Sequence, residues 1–460
     1  MSYSELSSAK AHHMETRHCR FMALRLNHQP SSKKKANGNG EDRISTLPDP
    51  LLVHILSFLP TKYAVGTSVL SSRWKHIWAS VPNLDFNEWE IFSPFALRKH
   101  HFSFMNFINR VFFFHDLTNI QRFSINCDPD IDKSRLNMFI RAAIMRGVRE
   151  IDINVCESVN LKLPSNLFTC NTLVVLKLGP RLQVDVPASI SFPCLRIFHV
   201  SLICPSNDLT QKLFSSCPVL EELSITAKWV VEKQKKSGNS DIVVMVDAPI
   251  LECLCVEDYC FVHYCLNNLS SVVKACVSVD AFYPHATPHV NQIFVLLKAI
   301  TNVKQLHIQS RTMEVNLYSG LILSSLTKAL GFANDEDWPV FPNLTCLEID
   351  VCNDFGCKSL SDLLMQVPNL GTMVLVKQFN WLEPQGVPSC LRSSLKEINI
   401  YGIDGLQDDL DMVKYFLGNA EVLEKMTIEQ GDLNIDEENE FLKKLALFPR
   451  CSKYCQVKLI

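Results

Sequence analysis

A six-residue pattern, apolar-x-x-apolar-x-apolar, recurs along most of the chain. It reads IQRFSI (120–125), VREIDI (148–153), LVVLKL (173–178), LRIFHV (195–200), LEELSI (220–225) and LECLCV (251–256). It continues as VKQLHI (303–308), LTCLEI (344–349), LGTMVL (370–375), LKEINI (395–400) and LEKMTI (423–428), with a degenerate twelfth copy in VVKACVSV (272–279). Most successive copies start 22 to 31 residues apart, and the longer gap from Val303 to Leu344 predicts an inserted loop. The last two apolar positions are two apart, which is the alternation of a strand. A unit this short cannot bury its own apolar face, so the units must stack and share one core. Proline precedes several copies at a fixed place, as in FPCL, CPVL, APIL, FPNL and VPNL. It sets a turn before the strand and removes a donor that the ladder does not need.

Before the repeats, a segment over 41–86 carries helical rather than strand spacing. Asp49 is placed to cap a helix with Pro50 at its first position, where a missing N–H costs nothing. Leu51, Leu52, Ile55, Leu56 and Leu59 follow at helical intervals until Pro60 stops the run. A second helix is predicted from about Val69 to Trp78, capped by Thr67 or Ser68, with Val69, Leu70, Trp74, Ile77 and Trp78 apolar. So small a module cannot enclose that many large side chains by itself. The surplus must meet either the rest of this chain or a partner, and composition leaves both open.

At the other end, Asp408 or Asp409 opens a helix with Leu410, Val413, Phe416 and Leu417 on one face, ended by Gly418–Asn419. A further helix over about 437–447 precedes a short terminal strand at 455–460.

Composition narrows the function classes. The 460 residues are 47% hydrophobic and 20% charged with a net charge of -3, which fits a folded protein without a global pull toward nucleic acid or membrane. No uninterrupted apolar stretch has the length of a transmembrane helix, and the polar N-terminus lacks a signal-peptide core, so the expected location is the nucleus and/or cytoplasm. Residues 1–40 read as a disordered arm. Lys33–Lys35 within it read as solvated charge, with a weak nuclear-import patch as the alternative. Eighteen cysteines are scattered without zinc-ligand spacing, so they read as buried small hydrophobes, those of LECLCV and VVKACVSV included. With 15 glycines and no phosphate loop, GxSxG or HExxH, the sequence calls for no cofactor and no metal, and offers no recognisable catalytic Cys/His pair.

Three resemblances then add to this reading. Leu47-Pro48, Leu51, Ile55 to Pro60, Thr67 to Ser71, Arg73-Trp74 and Trp78 make the 41–86 segment similar to an F-box, the module by which a receptor docks on the Skp adaptor of a cullin ubiquitin ligase. The repeats over 87–380 resemble an irregular, ribonuclease-inhibitor-like leucine-rich repeat solenoid. Val387 to Leu391, Ser394 to Lys396, Tyr415 to Leu417, Val422 to Met426 and Leu447 to Ser452 make 381–460 resemble the FBD domain that ends many plant F-box proteins. The implied fold class is α/β: a small all-α F-box, the solenoid, and an FBD cap. The implied function is a non-catalytic substrate receptor, bound to the Skp adaptor and through it to cullin and a RING subunit. The alternative is a scaffold or ligand-sensing protein outside a cullin ligase.

The resemblance assigns adaptor contact to Leu47, Pro48, Leu51, Leu52, Ile55, Leu56, Leu59, Pro60, Val69, Leu70, Arg73 and Trp74, while Trp78 is expected to pack toward the first repeats. Target-binding residues are expected between the anchors, on the concave side. They include His199, Glu222, Glu257, His307, Glu348, Asp350 and Tyr401, together with Glu150, Asp152, Lys177 and Glu429. Acidic residues predominate there.

Overall fold

The structure is a computed structural model that describes residues 44, 46–91, 101–116, 120–128, 131–155, 159–179, 182–184, 187–203, 207–228, 243–258, 262–279, 290–309, 338–351, 357–377, 381, 383–384, 386–431 and 435–460. The N-terminal arm and most of the insertion after Val303 lie outside these. Residues 49–460 form one compact unit. In the other unit, the described stretch is a turn in which Leu47 N donates to Ile44 O at 3.1 Å.

One sheet of fourteen parallel strands runs through the larger unit in chain order. The strands are β1 (Asn83–Asn87), β2 (Arg122–Cys127), β3 (Glu150–Val155), β4 (Val175–Leu178), β5 (Ile197–Ile203), β6 (Glu222–Lys228), β7 (Cys253–Asp258), β8 (Lys274–Val279), β9 (Gln305–Gln309), β10 (Cys346–Val351), β11 (Thr372–Lys377), β12 (Glu397–Ile403), β13 (Lys425–Gln430) and β14 (Gln456–Leu459). All three apolar positions of every repeat copy are buried, from Ile120, Phe123 and Ile125 to Leu423, Met426 and Ile428. The degenerate twelfth copy is a full rung, β8, with Val272, Ala275 and Val277 buried. Two rungs escape the list of copies. VPNLDF (81–86) obeys the same rule, with Val81, Leu84 and Phe86 buried, and forms β1 inside the segment expected to be all helical. At the far end β14 sets Val457 beside Met426 and Leu459 beside Ile428, while the first anchor place falls on the exposed Tyr454; the buried Ser452 donates its hydroxyl to Leu423 O at 2.6 Å.

The prolines act as expected. The residue before each proline accepts a hydrogen bond from the amide three residues on, as Leu251 N to Ala248 O at 3.1 Å and Leu370 N to Val367 O at 3.3 Å. Proline therefore occupies the first central place of a turn that leads into the strand.

Helices cover the apolar face of the sheet. They include α4 (His101–Phe114), α5 (Lys133–Ile144), α6 (Asn207–Ser215), α7 (Val290–Ala299), α8 (Cys357–Met365), α9 (Gln407–Asn419) and α10 (Ile435–Ala446), and their buried residues join the strand anchors in a single cluster. Asp132 caps α5 by accepting from Ser134 N and Arg135 N at 3.0 and 3.1 Å. The buried Asp409 carboxylate accepts from Asp404 N and Leu406 N, both at 3.0 Å, and closes the turn that starts α9. Two short parallel strand pairs, Val159–Leu161 with Leu182–Val184 and Val243–Asp247 with His263–Asn267, complete this layer.

The helical module differs from its expected form. The first helix, α1 (Asp49–Leu56), is as predicted, but the Asp49 carboxylate accepts Arg73 Nε at 2.9 Å rather than capping its own helix. A helix that the spacing did not show, α2 (Thr61–Gly66), follows Pro60. The predicted continuous helix from Val69 to Trp78 is broken into a 3-10 turn at Thr67–Val69, the helix α3 (Trp74–Ile77) and a second 3-10 turn at Trp78–Ser80. Thr67 and Ser68 donate back to Ala64 O and Val65 O and so finish α2, while Ser71 Oγ accepts Trp74 N at 3.4 Å.

Two contacts set testable costs. Trp74 is buried, with 6% of its surface exposed, against a small core that also holds Leu52, Leu56, Ala64 and Ile77. Trp74→Ala should cost about 3–5 kcal/mol and speed amide exchange across 49–80; unchanged exchange there would place the indole outside the core. Gly179 sits against Asn154 so closely that an added Cβ would meet its Oδ1 at 2.5 Å and its Cα at 3.1 Å. Gly179→Ala should lower stability by about 1–3 kcal/mol, read as a lower denaturation midpoint; a neutral result would mean that the backbone relaxes freely there.

Candidate docking surfaces

The predicted adaptor residues separate into two groups by burial. Leu52, Leu56 and Trp74 are buried inside the module itself. The reason is helical geometry: consecutive residues are about 100° apart, so the adjacent pairs Leu51-Leu52 and Ile55-Leu56 each span an inner and an outer face. Leu51, Ile55, Leu59, Val69 and Leu70 are exposed, Val69 at 87% and Leu70 at 63%. Phe58 and Tyr63, which are not among the expected docking residues, are exposed as well, and the Phe58 ring meets His54 edge-on at 4.9 Å. Their signal was present in the sequence, since large apolar residues flanking Pro60 have no core position left to fill. Arg73 is held by Asp49 on the surface, and Pro60 is half-buried between α1 and α2. In the separate N-terminal turn, Pro48 is exposed and Leu47 half-buried.

The module is fastened to the edge of the sheet. Thr61 Oγ1 accepts Asp85 N at 2.8 Å, Asn83 Nδ2 donates to Ser57 O at 3.1 Å, and Val65 and Trp78 pack on the main core. Trp78 thus packs toward the repeats, as expected. Thr61 also supplies a partner to an amide on the outer edge of β1, which would otherwise be open to strand addition.

The second surface is the sheet face turned from the helices. Strand register sets its rows. Asp85, Ser124, Asp152, Lys177, His199, Ser224, Cys255, Cys276, His307, Glu348, Val374, Asn399, Thr427 and Lys458 stand side by side on successive strands. Glu222 lies in the row two residues earlier, and Glu257, Asp350 and Tyr401 lie in the row two residues later. All seven residues singled out from the sequence are therefore on this one face.

Its acidity is less than the list of residues implied, because neighbouring strands compensate it. His199 Nε2 lies 2.7 Å from Glu222 Oε1, Arg122 Nε 3.5 Å from Glu150 Oε1, and Lys425 Nζ 2.7 Å from Glu397 Oε1. The hydrogen bond from His199 holds the Glu222 carboxyl below the usual carboxylate range. Thr226 donates to Glu257 at 3.4 Å and Gln309 to Asp350 at 3.5 Å. Burial pushes the Asp152 carboxyl up, opposed by Lys177 and Arg122. Burial, then Glu429, Glu348 and Glu397, push the Tyr401 phenol up.

The thiols of LECLCV and VVKACVSV correct an expectation. Cys253, Cys255 and Cys276 are half-buried on this face, because each alternates with the core residues Leu254, Val256, Ala275 and Val277. Cys276 Sγ lies 3.8 Å from His307 Nδ1. Burial raises the Cys253 thiol to about 11, so it stays protonated at neutral pH and is a poor nucleophile. Cys127, Cys170, Cys217, Cys390 and Cys455 are buried as expected. Among the described residues, no group of three or more His, Cys, Asp or Glu is arranged to hold a metal ion, and no helix is long and apolar enough to cross a membrane.

Comparison with known proteins matches three segments. The F-box domain model matches residues 44–86, the model of the leucine-rich repeats of FBD-associated F-box protein At5g56370 matches 136–277, and the FBD model matches 383–428. The chain is 30% identical to the F-box/FBD/LRR-repeat protein At1g78750 of Arabidopsis thaliana, over 93% of this chain and 98% of that protein. It is 32% identical to the putative F-box/FBD/LRR-repeat protein At5g22670, over 92% and 98%, and 30% identical to F-box/LRR-repeat protein 13, over 93% and 98%, both of the same plant. An F-box domain implies binding to an Skp-type adaptor, and leucine-rich repeats imply contact with another protein. With three matched segments and 30 to 32% identity over nearly the whole length of such relatives, the chain belongs to the plant F-box/FBD/leucine-rich-repeat family.

Proposed function

We propose that this chain is the substrate-receptor subunit of an Skp–cullin–F-box ubiquitin ligase. The module over 49–80 holds the adaptor, which brings cullin, a RING subunit and the ubiquitin-charged enzyme. The open sheet face holds the target protein. The observation that carries this reading is the division of the module: it closes a core on Leu52, Leu56 and Trp74, yet leaves Leu51, Ile55, Phe58, Leu59, Tyr63, Val69 and Leu70 in water. A surface of that kind marks a protein contact. Family members are typically non-catalytic adaptors, and this chain needs no catalytic residue of its own. Holding a target lysine near the activated thioester converts an encounter between separate molecules into a local one, and that positioning is the whole contribution. The place of action is the nucleus or cytoplasm, where such ligases meet their targets.

Electrostatics on the open face favour a target surface that is polar and mixed in charge. Most acids there already have a cation or donor on the next strand, so a target must exchange these bonds rather than neutralise bare charge.

Two measurements test the reading. Leu70→Asp puts a charge on a side chain that is outside the core, so the fold should be retained while affinity for a purified Skp-type adaptor falls about 30-fold or more. Adaptor binding by the variant at the level of the unaltered chain would remove the F-box assignment of this surface. Glu348→Lys with Asp350→Lys should leave adaptor affinity unchanged but lower ubiquitination of bound targets in a reconstituted ligase by about tenfold. If the unaltered chain binds adaptor but never recruits cullin, a scaffold role outside a ligase replaces the receptor role.

A further inference from the structure

Residues 113 and 114, at the end of α4, form an apolar feature that neither the repeat core nor the F-box core uses. Phe112 is buried, its ring stacked on Phe139 at 5.1 Å and meeting Phe123 at 5.9 Å. The next two side chains point the other way. Phe113 is 78% exposed and Phe114 is 63% exposed, and their rings touch edge to face with centroids 5.0 Å apart. Single exposed apolar residues are ordinary on protein surfaces, but two adjoining aromatic rings in water are a contact surface.

The pair is rigidly tied to the F-box module. Asp116 N donates to Ala79 O at 2.7 Å, and the buried His115 donates through Nε2 to Val81 O at 2.8 Å. Burial keeps the His115 ring below its usual pKa, with the Val81 bond opposing, so the ring is neutral at physiological pH. Ala79 belongs to the 3-10 turn Trp78–Ser80, which packs directly on α1 and α2. The aromatic pair therefore lies within about one helical turn of the last residues of the docking module, and it lies in the helix layer rather than on the open sheet face. Nothing in the target-binding reading uses it.

From this continuity we infer that the docking surface for the Skp-type adaptor does not end with the F-box but continues onto Phe113 and Phe114 of the first repeat. The inference rests on the adaptor reading above. The occupant is the adaptor itself, because the pair is continuous with the module that binds it and is held fixed to that module by two hydrogen bonds. The pair would act as an aromatic anchor that also sets the angle between adaptor and repeats, since it lies on the far side of the fixed junction Ala79–Val81 from the F-box helices.

The test compares three full-length proteins against one purified Skp-type adaptor: the unaltered chain, Leu70→Asp, and Phe113→Ser with Phe114→Ser. Both phenylalanines are exposed, so the double variant should keep the unaltered melting midpoint. Its affinity for the adaptor should fall about 10- to 100-fold, mostly through faster dissociation. Amides of 110–116 should also become protected from exchange when adaptor binds the unaltered chain. Loss of binding in Leu70→Asp with unchanged affinity and no protection for the phenylalanine pair overturns the extension and leaves the receptor function standing. Unchanged affinity in both variants overturns the adaptor reading as well. Self-association of the unaltered chain that the double variant abolishes, without any effect on adaptor affinity, would assign the pair to a second copy instead and overturn the proposal.

Discussion

Every part of this molecule depends on one constraint. A single repeat exposes one apolar side that only its neighbours can cover. Three anchors per copy, two on the strand and one on its approach, solve this by forming rows that run the length of the sheet. Burial of each large anchor contributes about 1.5–3 kcal/mol, but none of it is available to a copy standing alone. The chain must therefore manage its ends. At the first strand, the helical module supplies Thr61 to an edge amide and packs Val65 and Trp78 on the core. At the last, β14 is short, half-exposed and bears Lys458, features that discourage further strand pairing.

This arrangement gives the docking module two structural duties. Its inner residues close a small core, its strand-like tail VPNLDF begins the sheet, and its outer residues remain free of the chain. The module is thus fixed to the repeats rather than strung from them. In the receptor role proposed above, rigidity at this junction would be the functional quantity, because the sheet, the junction and the adaptor in series would set the distance between a bound target and the ubiquitin-charged enzyme. The bonds from Asp116 to Ala79 and from His115 to Val81 serve the same end.

The open face is assembled from residues far apart in sequence. His199 and Glu222, or Cys276 and His307, become neighbours because parallel strands in constant register set equivalent positions side by side. Constant register also explains why the acids are compensated. A residue between two neighbours about 4.8 Å away feels their charge strongly, and opposite signs on adjacent strands relieve the cost of partial burial. Where compensation is incomplete, as at Asp152 and Tyr401, burial shifts the group toward its neutral form.

Local spacing carried much of this in the sequence itself. Alternation at two residues and an anchor three before it define a strand and its buried side without reference to anything distant, so the rungs, the proline turns and the shared polar face of the seven singled-out residues could all be read from the chain. Three features could not. The rung at 81–86 was masked because it follows helices whose spacing dominated that stretch. The break between Val69 and Trp74 depends on Thr67 and Ser68 bonding backward to α2, a helix that six residues could not announce. The division of Leu51 from Leu52, and of Leu70 from Trp74, depends on which side of a helix meets another helix. Periodicity identifies that a residue must leave water; only the tertiary structure decides whether its own chain supplies the cover, because burial is a property of the surfaces that meet and not of the residue that is buried.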